Sequence, residues 1–363
     1  MKGKVALITG IGGQDGSYLA EFLLEKGYKV RGIIRRASLP NTKRFEHLVM
    51  KYGASDDPNT PFRVEYADLT DPQSMRKVID KFKPDEIYNL GAQSHVGISF
   101  DNAESTIDIN TLGPLRILEI IRQSHPHIKY YQASSSEMFG ISPPPQSEST
   151  TMLPQSPYGI AKLAAYHLTR LYRNAYGLFA CNGILFNHES PRRGFNFVTK
   201  KITKELSRIV VGEIDKITLG NLDAKRDWGY SKEYIEAMWA ILQQDKPDDF
   251  VIATEETHTV RDFLKESFSL VGLNYEDHLL TSDKFHRPAE VPALLGDAKK
   301  AKLKFNWNPQ VKFKELVHMM VDADLKEKLE ETGLHPIQPG VAREEGYYIQ
   351  KAKELLLSRQ NIG

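Results

Sequence analysis

The chain has 363 residues, 40% of them hydrophobic and 26% charged, with a formal net charge of +1. That is the composition of a globular protein with one large or two interlocked domains, and it excludes the basic excess of a nucleic-acid binder or the cationic face of a membrane-surface protein. The lone cysteine, Cys181, excludes an internal disulfide and fits a reducing compartment, so a cytoplasmic location is expected. In chain order, the first feature is the apolar run Val5-Ala6-Leu7-Ile8. It is too short for the core of a signal peptide and reads as a buried strand over residues 5–9. The run flows into Gly10-Ile11-Gly12-Gly13-Gln14-Asp15-Gly16 and then into an amphipathic stretch over residues 17–26. Strand, glycine turn and helix form the context that a dinucleotide fingerprint requires. Glycines at 10, 13 and 16 let the backbone approach a pyrophosphate at the helix N-terminus. Without a ligand the same pattern is a tight strand-to-helix turn.

The second strand, residues 30–34, ends in Arg35-Arg36, followed by Ala37-Ser38. A carboxylate at this point would bind the ribose hydroxyls of NAD, whereas arginine accommodates a 2′-phosphate, so NADP is expected. Two solvated arginines would look the same. Residues 62–66 form a strand that ends near Asp68 and Leu69, where the aspartate can meet an adenine amino group. The strand at 86–90, ending in Leu90, leads into Gly91-Ala92-Gln93-Ser94-His95, small and polar residues beside which a cofactor can lie. Residues 106–124 have helical period, and residues 129–133 are a strand running into Ser134-Ser135-Ser136-Glu137. Strands alternating with helical segments predict an α/β fold with a doubly wound, Rossmann-type parallel sheet. No apolar run is long enough to span a bilayer, and no internal repeat is present. No histidine cluster has metal-ligand spacing; His125 and His127 flank a proline.

Tyr158 and Lys162 stand four residues apart at the start of a predicted helix and so share a face. A free phenol ionises near 10. Lowering that to about 7 takes roughly 4 kcal/mol, which a neighbouring ammonium and a bound cationic ring together can supply. Ser135, at a strand terminus, can hold a substrate oxygen while the phenolate takes its proton. Alone, that serine reads as a turn residue. Glu137 adds a carboxylate that simple alcohol oxidation does not need. Beside a new carbonyl it can remove the acidified C–H proton and then help a neighbouring hydroxyl leave as water. A loop or helix-start carboxylate fits the residue equally well. Read as residues alone, Arg226 and Arg287 suit a bidentate diphosphate clamp or a surface ion pair.

Several blocks then resemble one family. They include residues 10–20, Arg35-Arg36-Ala37-Ser38 with Asn41-Thr42, and residues 88–96. They also include Gln132-Ala133-Ser134-Ser135-Ser136-Glu137, Ser156-Pro157-Tyr158-Gly159, Asn187-His188-Glu189-Ser190-Pro191-Arg192-Arg193-Gly194, residues 220–229 and Arg287-Pro288-Ala289-Glu290-Val291. Together they resemble the GDP-mannose 4,6-dehydratase family of extended short-chain dehydrogenases/reductases, over about residues 3–325. The resemblance implies conversion of GDP-mannose to GDP-4-dehydro-6-deoxy-mannose with NADP, a first step toward GDP-deoxysugars such as GDP-fucose or GDP-rhamnose. It implies cofactor contacts from His188 and Arg193, the latter in a loop that crosses a subunit boundary. It also implies substrate contacts from Ser94, Asn187 and Glu290, and self-association as a dimer or tetramer through helices near 106–124 and 158–176. The chain departs from the family at Ser135, where threonine is usual, at Ser105, whose cofactor contact is therefore not carried over, and at Tyr230 and Pro292 near the expected substrate region. The rival readings are an epimerase or 4,6-dehydratase for another nucleotide sugar, and a cofactor-binding sensor with a dead site. Glu137 speaks against an epimerase, and the retained Tyr158 and Lys162 speak against a sensor.

Past residue 186 the alternation weakens. The expected organisation is a cofactor domain over 1–186 with segments near 220–260 returning to it, a sugar-binding lobe over 187–330, and a tail over 331–363. Residues 179–186 and 250–253 read as strands, residues 260–271 and 313–324 as amphipathic helices. The tail reads as a break at 335–340 followed by a charged helix over 343–359, a packing or oligomer element or a mobile end without assigned chemistry.

Overall fold

In the computed structural model, residues 3–38, 42–53, 57, 59–282, 288–334 and 343–360 are described. Six strands open the chain: β1 (Val5–Thr9), β2 (Lys29–Ile34), β3 (Phe62–Tyr66), β4 (Glu86–Asn89), β5 (Lys129–Ser135) and β6 (Ala180–Leu185). The short strands β7 (Asn187–Glu189), β8 (Ile217–Leu219), β9 (Lys225–Arg226) and β10 (Trp228–Tyr230) follow, and then β11 (Asp249–Ile252), β12 (His258–Thr259) and β13 (Leu279–Thr281). Seven strands make one parallel sheet in the order β11-β6-β5-β4-β1-β2-β3. The strand order reverses between β1 and β4, and in open α/β sheets the crevice beyond the carboxyl ends at such a point receives ligands.

The period-two pattern of β1 explains why helices cover both faces. Ala6 and Ile8 enter the cluster that holds Leu19, Tyr234 and Met238, whereas Leu7 enters the opposite cluster with Met75, Ile79 and Ile117. At the switch point the turns after β1 and β4 touch. Gly10 has φ +72°, and a Cβ there would lie 2.8 Å from the Gly91 nitrogen. A Cβ on Gly16 would lie 2.3 Å from the Gly10 carbonyl oxygen, so only glycine lets the first helix, Gln14–Glu25, begin this close to the turn. Residues 106–124 are not one continuous helix. The segment runs as Ala103–Ile107, a π turn Asp108–Leu112 and the helix Gly113–Ser124 with Pro114 in its first turn. The widened turn buries Asn110, which accepts from Gln93 N at 2.9 Å and donates to Gln93 O at 2.8 Å, pinning the loop after β4.

A second core forms around Ile202, Leu206, Trp228, Phe263, Phe268, Phe313 and Met320. The helices Val198–Val210, Val260–Val271 and Phe313–Glu331 supply most of it. The helix Tyr347–Gln360 belongs to the same core, contributing Tyr348, Ile349 and Ala352. The Asp322 carboxylate accepts from Tyr348 N at 2.9 Å and Ile349 N at 3.2 Å, and Arg359 donates to the carbonyls of Val210 and Val211. These bonds satisfy end groups that helices leave open. The chain enters this lobe after β6 and returns from it to place β11 beside β6. Among the described residues no helix is long and apolar enough to cross a membrane.

Candidate active site

A cavity of about 860 Å³ takes its lining from both cores. Ser135, Glu137, Tyr158 and Lys162 lie together in its wall. Ser135 closes β5, and its hydroxyl accepts from Glu137 N at 3.2 Å, which starts a short 3₁₀ turn. Tyr158 and Lys162 occupy the first turns of the helix Pro157–Tyr176. Ser156 caps that helix by accepting from Gly159 N at 3.0 Å, and Pro157 pre-sets its entry. A Cβ on Gly159 would lie 2.8 Å from the Glu137 carbonyl oxygen, so this glycine lets the helix start rest against the Glu137 turn. This packing sets the Ser135 hydroxyl close enough to the Tyr158 phenol to favour its ionised form.

Burial dominates the electrostatics of the tyrosine and the lysine. It pushes the Tyr158 phenol up to about 12, against the lowering effect of the Ser135 hydroxyl. Burial pulls the Lys162 ammonium down to about 8, with Asp15 opposing. Lys162 Nζ donates to the Ala133 carbonyl at 2.8 Å and lies 5.8 Å from the centre of the Tyr158 ring. As the site stands, the lysine gives up its proton before the phenol does. The expectation that the lysine lowers the phenol therefore requires further charge from whatever binds beside them.

Glu137 is 6% exposed, and Arg226 Nη2 approaches its Oε1 at 4.0 Å. Arg226 is itself buried and held from behind: it donates to Val291 O at 2.8 Å, to Lys225 O at 2.9 Å and to Glu290 Oε1 at 3.1 Å. Its fork thus stands between two carboxylates, beside the group read as the proton-transfer residue. Arg287, its proposed companion, lies outside the described residues, as does Asn41.

Toward the first helix, the buried His188 pairs with the part-buried Asp15 at 2.8 Å. His188 Nδ1 faces the Phe186 carbonyl oxygen at 2.8 Å, so both ring nitrogens meet acceptors and the imidazolium is the state that satisfies both. Burial alone would lower His188, but the Asp15 carboxylate outweighs it and its pKa ends above the ordinary value. Burial alone would raise Asp15, but His188 and the bond from Gln14 hold it well below the usual carboxylate range. Ser231 donates to Asp15 at 2.9 Å, and the Tyr234 ring stacks on His188 with centroids 4.6 Å apart. None of this pairing is visible in a sequence that separates the two residues by 173 positions.

The cavity brings together Asp15, Leu90, Ala92, Ser94, Asn187, His188, Arg193, Arg226 and Glu290 with the four residues above. Arg193 lies within this chain's own cavity, its guanidinium 3.6 Å over the Phe197 ring and its Nε 3.0 Å from Glu189 Oε2. Asn187 presents a buried Oδ1 with no hydrogen-bond partner among the described residues. Gly10, Ile11, Gly12, Gly13, Gln14, Gly16, Gly91 and Gln93 belong to the turns at the switch point rather than to the cavity lining. Gln14 spends its side chain on His188 O and Ser190 Oγ. Arg35, Arg36, Ala37 and Ser38 are exposed at the end of β2, with the Arg36 guanidinium 5.8 Å over the Tyr66 ring. Asp68 is engaged by Thr70 N and Oγ1, and Leu69 is buried against Gly113. Ser105 is exposed on its helix, and neither Tyr230 nor Pro292 lines the cavity: Tyr230 packs against the second core and the Pro292 carbonyl accepts from Lys225 N at 3.0 Å. Missed in the sequence was His95. Its Nδ1 accepts from Ile98 N at 3.0 Å and its Nε2 donates to Asn196 O at 3.0 Å, tying two cavity walls together. The signal was its place three residues past Ala92, at the end of the small-residue stretch after β4.

The model of the family described as GDP-mannose 4,6 dehydratase matches residues 7–320. GDP-mannose 4,6 dehydratase 2 of Arabidopsis thaliana is 57% identical over 331 residues, covering 89% of this chain and 87% of that one. The Homo sapiens GDP-mannose 4,6 dehydratase is 52% identical over 342 residues, covering 89% and 91%. Among solved structures, dTDP-glucose 4,6-dehydratase of Bacillus anthracis in complex with NAD superposes with a TM-score of 0.75 at 22% identity, covering 90% of this chain and 98% of that one. By extent and identity of these matches, the chain belongs to the GDP-mannose 4,6-dehydratase family.

Proposed function

We propose that this protein converts GDP-D-mannose to GDP-4-dehydro-6-deoxy-D-mannose and water, using NADP without net consumption. The observation that carries the reading is the shared wall of one cavity: Ser135 beside the Tyr158 phenol, Lys162 beside the same ring, and Glu137 two residues along from Ser135. The residues present fit the dinucleotide. The first helix begins at Gly13 with no side-chain cap, which leaves its amides open to a pyrophosphate. No carboxylate follows β2. Arg35 there makes no ion pair with a described residue, and Arg36 stands over Tyr66, which suits a 2′-phosphate and an adenine face. Bound NADP would act as a reversible two-electron acceptor for C4 that gives the same electrons back at C6.

The chain's own groups do the rest. Ser135 holds the C4 oxygen, and Tyr158, once ionised, takes its proton. Glu137 removes the C5 proton that the C4 carbonyl has acidified, and then delivers a proton to the C6 hydroxyl as it leaves as water. Tyr158 returns its proton when the double bond is reduced. Arg226 and Arg287 are assigned to the diphosphate, with Ser94, Asn187 and Glu290 around the sugar. His188 and Arg193 are assigned to the cofactor side. The cofactor-binding part is assigned to residues 1–186 with returning segments, and the sugar lobe to 187–330.

Self-association through the helix Pro157–Tyr176 is supported by its outer stripe. Ile160 and Leu171 are 51% and 53% exposed and stand on one face with Ala164 and His167. A cytoplasmic location is supported by the single buried thiol of Cys181, which burial holds at about 12. The test of the reaction uses GDP-mannose deuterated at C4 with NADP. Label found at C6 of a keto-deoxysugar supports the reading; unreacted sugar, or simple inversion at C4, overturns it.

A further inference from the structure

The glycine turn after β1 is held by a residue that no motif singled out. Arg44 lies just before the helix Glu46–Tyr52, distant in sequence from both the glycine motif and the Tyr158 group. Its Nη1 donates to the Gly12 carbonyl at 3.1 Å and its Nε donates to the Arg192 carbonyl at 2.8 Å. The amide at the other end of the Gly12–Gly13 peptide donates to the Gly10 carbonyl at 2.9 Å. One peptide plane is therefore fixed at its oxygen by Arg44 and at its nitrogen by Gly10. Two consecutive glycines would otherwise let that plane turn over at little steric cost. Its orientation sets the direction of the amides that open the first helix.

The second carbonyl on Arg44 is anchored separately. Arg192 reaches Ser17 at 3.0 Å and Glu21 at 2.5 Å and lies 4.0 Å over the Tyr18 ring, all on the first helix. One residue earlier, the Pro191 carbonyl accepts from Lys200 at 2.7 Å, and Lys200 is paired with the buried Asp324 at 2.6 Å. Asp324 belongs to the helix Phe313–Glu331 of the second core. A continuous path of polar contacts thus runs from the second core to the glycine turn.

We propose that Arg44 is a positioning residue for the dinucleotide site: it locks the Gly12–Gly13 peptide and ties the turn to the loop at Pro191–Arg192, which the Lys200–Asp324 pair fixes to the second lobe. The site it serves rests on the NADP reading above, whereas the lock itself concerns the free protein. The guanidinium fork is needed because its Nη1 and Nε bond two carbonyls at once, which a lysine ammonium on a flexible stem does not reproduce.

The test takes Arg44→Lys and Arg44→Met in the full chain and measures two things. In the free protein, amide hydrogen exchange at residues 13–16 should quicken at least tenfold in both variants while exchange in β5 and β6 stays within twofold. In titrations with NADPH and with GDP, NADPH should bind about tenfold more weakly and GDP within twofold of the unsubstituted protein, with Lys restoring less than half of the loss seen with Met. Unchanged exchange at 13–16 overturns the lock. Exchange that quickens throughout the sheet, or NADPH and GDP weakened equally, reduces Arg44 to a general stabilising contact and also overturns it. If the unsubstituted protein fails to bind NADPH, the NADP reading falls while quickened exchange at 13–16 alone still supports the lock. If Arg44→Met does not fold, Arg44→Lys decides the matter with both readouts.

Discussion

Removing the charge of Lys162 should reveal how the phenol becomes a base. In the structure the phenol sits at about 12 and the ammonium at about 8, so the ionised pair lies about four pKa units, roughly 5 kcal/mol, above the neutral one. At the 5.8 Å that separates Nζ from the ring centre, attraction between phenolate and ammonium returns about 3 kcal/mol at an effective dielectric of about 20. The remainder, about 2 kcal/mol, falls to bound ligands. Lys162→Met forfeits the attraction, worth about two pKa units on the phenol. Because an ammonium favours the phenolate, its loss raises the phenol's pKa and moves the rising alkaline limb of kcat to higher pH. The expected result is a kcat about a hundredfold lower at pH 7 that recovers with increasing pH, the limb displaced upward by about two units. The assay is keto-sugar formation from GDP-mannose with NADP between pH 6 and 10. A loss of equal size at every pH would refute the charge role and leave Lys162 as a strut on the Ala133 carbonyl.

Glu137→Gln should still oxidise C4, seen as reduced cofactor, but stall before water loss; full turnover by that variant would remove Glu137 from its role. Gly159→Ala places a Cβ where the Glu137 carbonyl now lies and must shift the helix start. It should cut kcat about tenfold or more, with a smaller effect on the binding of GDP alone, checked by steady-state kinetics beside GDP titration. His188→Asn leaves the part-buried Asp15 without its countercharge and should cost about 1–3 kcal/mol in denaturant unfolding. The pH dependence has a definite sign. His188 has its pKa raised on folding, so its contribution is full below about 6.5 and is lost as pH rises through the higher folded value. Asp15 has its pKa lowered, so its share is present above about 3.9 and is lost only as pH falls toward the depressed folded value. The variant should therefore lose the decline in stability above pH 6.5 that the unsubstituted protein shows in Tm.

Local pattern made much of this molecule readable. Residues 5–9 and 62–66 form strands with those bounds, and Val260–Val271 matches its predicted helix, where Thr259 and Asp262 form a capping box. The helices Val198–Val210 and Ser231–Leu242 are not among the predicted elements, although buried positions recur at helical spacing in both. The break at Asp108–Leu112 has no signature in the helical period, since apolar residues continue through it and only the buried Asn110 marks the widened turn. At the site, Ser135, Glu137, Tyr158 and Lys162 were legible because strand ends and helix starts meet at the sheet edge. Three relations were not: the pairing of Asp15 with His188, the approach of Arg226 to Glu137, and the grip of Arg44 on Gly12. Each joins residues distant in sequence through side chains whose partners no periodicity specifies. The direction of the Tyr158 and Lys162 shifts was equally hidden, because it depends on burial in a wall assembled from separate elements.

The return of β11 to the edge of the main sheet has a consequence for how the molecule comes apart. That strand is bonded to β6 along its whole length, yet the chain between them detours through the second core. Neither half is thus a separable piece of polypeptide, since cutting out the lobe would strip the sheet of an edge and cutting out the sheet would leave the lobe in fragments. Unfolding of the lobe should therefore loosen β11, the edge strand bonded to β6. In the folding direction, the last position of the sheet cannot be filled until the excursion has closed a long loop, an entropic toll that places β11 among the late contacts.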